Sequence, residues 1–314
     1  MVKSPINQIS PALQFLILVA ITIGTILIGN LIGVGIISAK YGLNVLFDIT
    51  NLNFTAPGVT QALWILQIIG TTLPLFLAPV FFSWVIVKEP YAYLKPRTKF
   101  PLMLLIVAFF VMMVSSPLIE FLSNINQRMV LPHFLGGVEH WMKQSEESAQ
   151  KVTVAILQMH SVWDAIKSVL LVGLLTAIAE EFLFRGAMQT IIKRWTNNAH
   201  AAVWITAILF SAFHMEFYGF LPRLLLGALF GYFVVWSGSI WPAVWGHFLN
   251  NGTAVVVTYL YQQKKISLNP DDTHTFNYAS YAVSFIIVII LLLVYKNIAP
   301  VKKQSADFNG EELG

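Results

Sequence analysis

Three short runs carry the residue types that hydrolytic chemistry needs: Glu180-Glu-Phe-Leu-Phe-Arg185, Phe210-Ser-Ala-Phe-His214 and His247-Phe-Leu-Asn-Asn251. All three sit in otherwise apolar sequence, where even the lowest scales put a mid-helix charge at roughly 2.5–3.5 kcal/mol, so such groups face a cavity or a partner. On a helix Glu181 and Arg185 are at i and i+4, on one face, and can form a charge-assisted pair. That pair could equally do no more than brace a bundle. Glu180 lies about 100° further round and is the freer carboxylate, hence the better general base. His247 and Asn251 are again at i and i+4, so both project toward a common point. The other five histidines, His133, His140, His160, His200 and His274, fall in or near loops and are given no role.

The elements that must position these groups are transmembrane helices. Of 314 residues 57% are hydrophobic and 11% charged, outside the range of a soluble domain. Eight spans are expected, roughly 12–38, 61–87, 100–122, 163–192, 199–214, 217–237, 240–262 and 277–296. The longer runs reach the ~20 helical residues that a ~30 Å hydrocarbon core requires. The fold class is all-α, a polytopic transmembrane bundle. The first run is too long for a signal-peptide core of ~7–15 residues and is expected to stay as an anchor.

The chain divides into motif-free helices over 1–122, a connection over 123–160, the motif-bearing core over 161–262, and a last span with a tail expected to be disordered over 263–314. Glu139, Lys143, Glu146, Glu147 and Lys151 alternate with Trp141, Val152, Val154 and Leu157 in the connection, which suggests an interfacial helix or a solvated loop. Lys3, Lys88, Lys95, Arg97, Lys99, Lys193, Arg194, Lys296, Lys302 and Lys303 gather on one side, so both termini are expected to be cytoplasmic. The same placement, in short loops beside apolar segments, makes the net charge of +4 a matter of topology; no nucleic-acid partner is expected. With no cysteine, a thiol nucleophile and a Cys-ligated metal are excluded. The Gly29–Gly33 and Gly227–Gly231 patterns let another helix approach closely, within the bundle.

Taken in order, EExxxR, FxxxH and HxxxN on consecutive apolar helices resemble the CPBP family of intramembrane peptidases, also called the Abi or CAAX-protease family. Leu226-Gly-Ala-Leu-Phe-Gly-Tyr232 and Ser239-Ile-Trp-Pro-Ala243 are similar to it as well, and the resemblance covers about 163–262. It implies an endopeptidase of the plasma membrane that needs no bound metal and acts on a peptide or membrane-protein substrate within the lipid bilayer. By the same resemblance Glu180 and His214 activate water, His247 and Asn251 stabilise the oxyanion, and Glu181 and Arg185 support them. Three alternatives stay open. Glu180, His214 and His247 are a possible zinc ligand set, although no HExxH is present. Intramembrane Glu and His also build the proton relays of transporters. A peptidase-like scaffold could bind peptides, as an immunity partner, without cutting them.

Overall fold

A computed structural model describes residues 9–270, 272 and 274–300. Lys3, Lys302, Lys303 and the expected disordered tail lie outside them. The described residues form helices joined by short turns, and no strand occurs among them.

Helix α1 spans Pro11–Tyr41, opened by the Ser10 side chain accepting from the Leu13 amide with Pro11 in the first turn. Helix α2 covers Val59–Ile86 and contains two stretches of wide, π-type turns. Then come α3, Met103–Val114, and α4, Ser116–Gln127, bent by 45° at Ser115. Pro117 enters the first turn of α4 and cannot donate back into α3, so one expected span becomes two angled pieces. The 123–160 connection contains helix α5, Gly136–Ile156. The motif-bearing core follows as α6, Val162–Thr196, α7, Ala199–Phe213, α8, Phe220–Ser237, and α9, Trp241–Gln262. Helix α10, Tyr278–Ile298, closes the described chain.

Five helices are long and apolar enough to cross a membrane, or six if α3 and α4 count as one broken span. The protein is an integral membrane protein, and the expected count of eight is not confirmed among the described residues. Helix α7 has 15 residues, about 22 Å at 1.5 Å per residue, short of a ~30 Å core. Helix α9 is long enough, yet His247, Asn250 and Asn251 dilute its apolar character. The two helices that fail the test thus carry half of the motif residues.

Local signals in the sequence set the core's turns. A capping box, Ser161 with Asp164, starts α6. At its other end Asn197 takes a left-handed conformation, φ 51°, and the Asn198 side chain accepts from the His200 and Ala201 amides to start α7. Two asparagines therefore make the reversal between α6 and α7. Glycines set the crossings. A Cβ on Gly29 would meet the Ile69 carbonyl at 2.3 Å, and one on Gly231 would meet Val203 at 2.9 Å. Both GxxxG faces therefore pack within the bundle, α1 on α2 and α8 on α7. The turn over Pro90–Pro101 is tied to the start of α9: the Lys95 carbonyl accepts from the Ile240 amide and the Pro96 carbonyl from Trp241 Nε1.

Candidate active site

Glu180 and Glu181 lie in an α-helical stretch of α6, Thr176–Glu181, held between two π-type stretches, Val169–Leu175 and Phe182–Met188. Wide turns re-aim side chains and recur at functional sites. Here the two neighbouring carboxylates point to different partners. Glu181 and Arg185 are wholly buried, and Arg185 Nη1 donates to Glu181 Oε1 at 2.8 Å. The other end of the guanidinium donates to the Gly227 carbonyl at 3.2 Å, which is reachable because Gly227 has no side chain; a Cβ there would lie 3.3 Å from Arg185 Nη2.

Glu181 also holds His247. A carboxylate can only accept, so the 2.9 Å contact from His247 Nδ1 to Glu181 Oε1 places a ring proton on Nδ1 and turns Nε2 toward Glu180. His214 is fixed the same way by a different acceptor, its Nδ1–H donating to the Phe210 carbonyl at 2.9 Å one turn earlier. The result is that Glu180 Oε2 stands 3.8 Å from His214 Nε2 and 3.7 Å from His247 Nε2. That oxygen is buried and has no hydrogen-bond partner in the protein. An unpaired buried carboxylate oxygen is costly, and such exceptions call for a functional explanation.

Aromatic rings set the angles. The Phe210 ring lies 4.2 Å from the Arg185 guanidinium carbon, 4.9 Å from the His214 ring and 5.9 Å from the His247 ring, the last at 90°. Phe230 stacks on His247 at 5.0 Å with 14° between planes. Phe210 thus touches three of the six motif side chains, and its carbonyl orients one of them.

Asn251 reaches the same cavity one turn along α9 from His247, where Gly252 packs against Gly173 and brings α9 close to α6. Its amide nitrogen is 3.5 Å from the Val172 carbonyl, and its oxygen accepts from Asn250 Nδ2 at 3.1 Å. With the oxygen held by Asn250 and one amino proton directed at the Val172 carbonyl, the second amino proton of Asn251 is the donor left for a ligand. The cavity has a volume of about 470 Å³, is lined by Glu180, His214, His247, Asn250 and Asn251, and is bounded on one side by Thr153, Ile156 and Leu157 at the end of α5.

All six sequence candidates therefore fall in one cluster. Glu180, His214, His247 and Asn251 line the cavity, while Glu181 and Arg185 lie behind it and meet it through His247. Sequence reading did not find Asn250 as a partner of Asn251, nor Phe230 as the plate under His247. Phe230 carried a signal, being one residue before Gly231 on the helix whose glycines bring it against α7. Asn250 had none beyond its type. For the zinc ligand set Glu180, His214 and His247, the two 3.7–3.8 Å separations are the relevant distances. Among the described residues no group of three or more His, Cys, Asp or Glu has the arrangement of a metal site.

The family model "Type II CAAX prenyl endopeptidase Rce1-like" matches residues 154–253. An uncharacterized protein of Bacillus subtilis (strain 168), YpbD, is 28% identical over 89 residues, which is 27% of this chain and 42% of that protein. The match thus spans less than half of that relative. No solved structure matches the chain. The matched segment holds all six residues of the cluster, and over it the chain is similar to the Rce1-like CAAX proteases of the CPBP family.

Proposed function

We propose that the protein is an intramembrane endopeptidase in which Glu180 and His214 activate a water molecule for attack on a peptide carbonyl. The observation that supports it best is the unpaired, buried Glu180 oxygen placed between two imidazole Nε2 atoms at a cavity among apolar helices. A carboxylate so placed is a general base with few competing partners.

In the reaction Glu180 takes a proton from water as the water oxygen bonds to the carbonyl carbon. The carbonyl electron pair moves onto oxygen and gives a tetrahedral oxyanion. His247 Nε2 and the second amino proton of Asn251 are the donors offered to that charge. Because His247 already gives its Nδ1 proton to Glu181, donation from Nε2 requires both ring protons. Glu180 and Glu181 set against Arg185 leave one negative charge for such a ring to balance. His214 steers the attacking water and relays the proton to the leaving amine as the C–N bond breaks. Glu181 and Arg185 keep His247 in place.

No resident metal is required by this scheme, and the substrate is a peptide segment or membrane protein that enters the cavity. The basic loops support a plasma-membrane protein with both termini on the cytoplasmic side. The scheme is tested with purified protein and a membrane-embedded peptide substrate. Glu180→Gln is expected to insert and fold but not to cleave, and 1 mM chelator is expected to leave the wild-type rate unchanged. Full cleavage by Glu180→Gln contradicts the mechanism. Activity lost on chelation and restored by zinc replaces it with the metallopeptidase that uses the same three side chains.

A further inference from the structure

His214 sits at the very end of α7, and the chain turns immediately after it. Met215 is left-handed, φ 55°, a conformation that a non-glycine residue keeps only when its surroundings hold it. Within the core the turn that follows is tied by Ser211 Oγ donating to the Phe220 carbonyl and by Glu216 pairing with Arg223, and further ties come from outside the family-matched segment. Asn126, 1% exposed at the end of α4, donates from Nδ2 to the Phe217 carbonyl at 2.8 Å and accepts at Oδ1 from the Leu221 amide at 2.7 Å. From α5, Glu146 accepts from the Tyr218 amide at 3.0 Å.

The Leu221 bond matters most. The first amides of a helix need outside acceptors, and the cap of α8 is Gly219, which has no side chain to offer. The Arg223 guanidinium lies over Gly219, where a Cβ would come within 2.4 Å of Arg223 Nη1 and displace the end of that side chain. Asn126 therefore caps α8 from another helix and, with the same amide, holds the turn that follows His214.

We propose that Asn126 is a positioning residue for the reaction: by clamping the 214–219 turn to the start of α8 it sets the approach of His214 Nε2 to Glu180. The proposal rests on the peptidase reading only where it calls His214 catalytic. It also gives the motif-free N-terminal helices a task in the chemistry.

The test uses the full-length protein and two readouts. Asn126→Leu removes both hydrogen bonds at similar volume, and Asn126→Asp keeps the acceptor for Leu221 but loses the donor. For Asn126→Leu, amide exchange over 214–222 is expected to rise at least about tenfold with exchange elsewhere unchanged. kcat is expected to fall about 10- to 100-fold, KM to stay within about threefold, and the high-pH or low-pH limb of the kcat profile that reports His214 to move. Asn126→Asp is expected to lie between Asn126→Leu and wild type. Wild-type kcat in both variants beside an inactive Glu180→Gln overturns the positioning role and leaves the peptidase reading intact. So does exchange raised throughout the molecule with kcat and KM lost together, which marks general destabilisation. If Asn126→Leu does not fold, Asn126→Asp alone decides. A wild-type protein that cleaves nothing overturns the peptidase reading instead, and the exchange data still show whether the clamp exists.

Discussion

Helices α8 and α10 are both long and apolar enough to cross the bilayer, yet they are built for different neighbours. On α10, Ile286, Ile290, Leu293 and Val283 point outward and are exposed, and few of its residues are buried. On α8, more than half of the residues are buried, and the inward face is made of Gly227, Ala228, Phe230 and Gly231, with backbone carbonyls at Gly227 and Gly231 receiving Arg185 and Gln189. In a bilayer, lipid tails are as apolar as a leucine side chain, so burial is not rewarded by hydrophobicity; close packing and hydrogen bonds hold the inner helices together. The inner helices of such a protein are therefore the less hydrophobic ones, and their polar groups are concentrated where the cavity lies.

That contrast can be broken or sharpened by substitution, and the largest effect is expected in the cavity. His214→Ala removes one of the two groups that act on water and should lower kcat by about 10²–10⁴ while the protein still inserts; an unchanged rate would detach His214 from the chemistry. Next is Arg185→Leu. It leaves Glu181 buried with only His247 as a partner, and breaking a buried pair in this way costs about 3–5 kcal/mol, read as a lowered midpoint of thermal unfolding in detergent. Asn251→Ala should raise the barrier by about 2.7–4 kcal/mol with KM little changed, since an oxyanion donor acts in the transition state. Equal loss of binding and turnover would make Asn251 structural. Gly231→Leu should cost about 1–3 kcal/mol or more by forcing α8 away from Val203 on α7. The smallest effect belongs to α10: Ile286→Leu, facing lipid, should change stability by less than about 0.5 kcal/mol. A large effect there would mean that this face meets another protein.

How far the sequence reveals such an architecture depends on which physical rule applies. Apolar runs located the helices well, with α1, α2, α6 and α10 close to the expected 12–38, 61–87, 163–192 and 277–296, because a membrane demands length and apolarity together. The same rule does not by itself carry α7 and α9 as full spans. Helix α7 ends at His214, and α9 gives three positions to His and Asn, so both depart from the rule where the site is built. The bend at Ser115 was legible in Pro117 but was read through.

Within the site, periodicity located the Glu181–Arg185 pair and the shared face of His247 and Asn251. It did not reveal that Glu181 Oε1 accepts from both Arg185 and His247, since that contact joins helices 66 residues apart in the chain. Nor could it place Asn126 against Phe217, because nothing in a motif-free helix distinguishes an amide that clamps a distant turn from one that meets water. The π-type turns flanking Glu180 and Glu181 have no signature in residue type and shift the helical angles on which sequence reasoning relies.

The central claim is that Glu180 is the base of a peptide-bond hydrolysis. Comparative proteomics of cells carrying the wild-type protein or Glu180→Gln, at equal membrane levels, tests it most directly. The expected result is one or more membrane-associated proteins whose new termini appear with the wild type and are absent with Glu180→Gln. Identical termini in both strains, from a substrate that disappears when the whole protein is deleted, would contradict it.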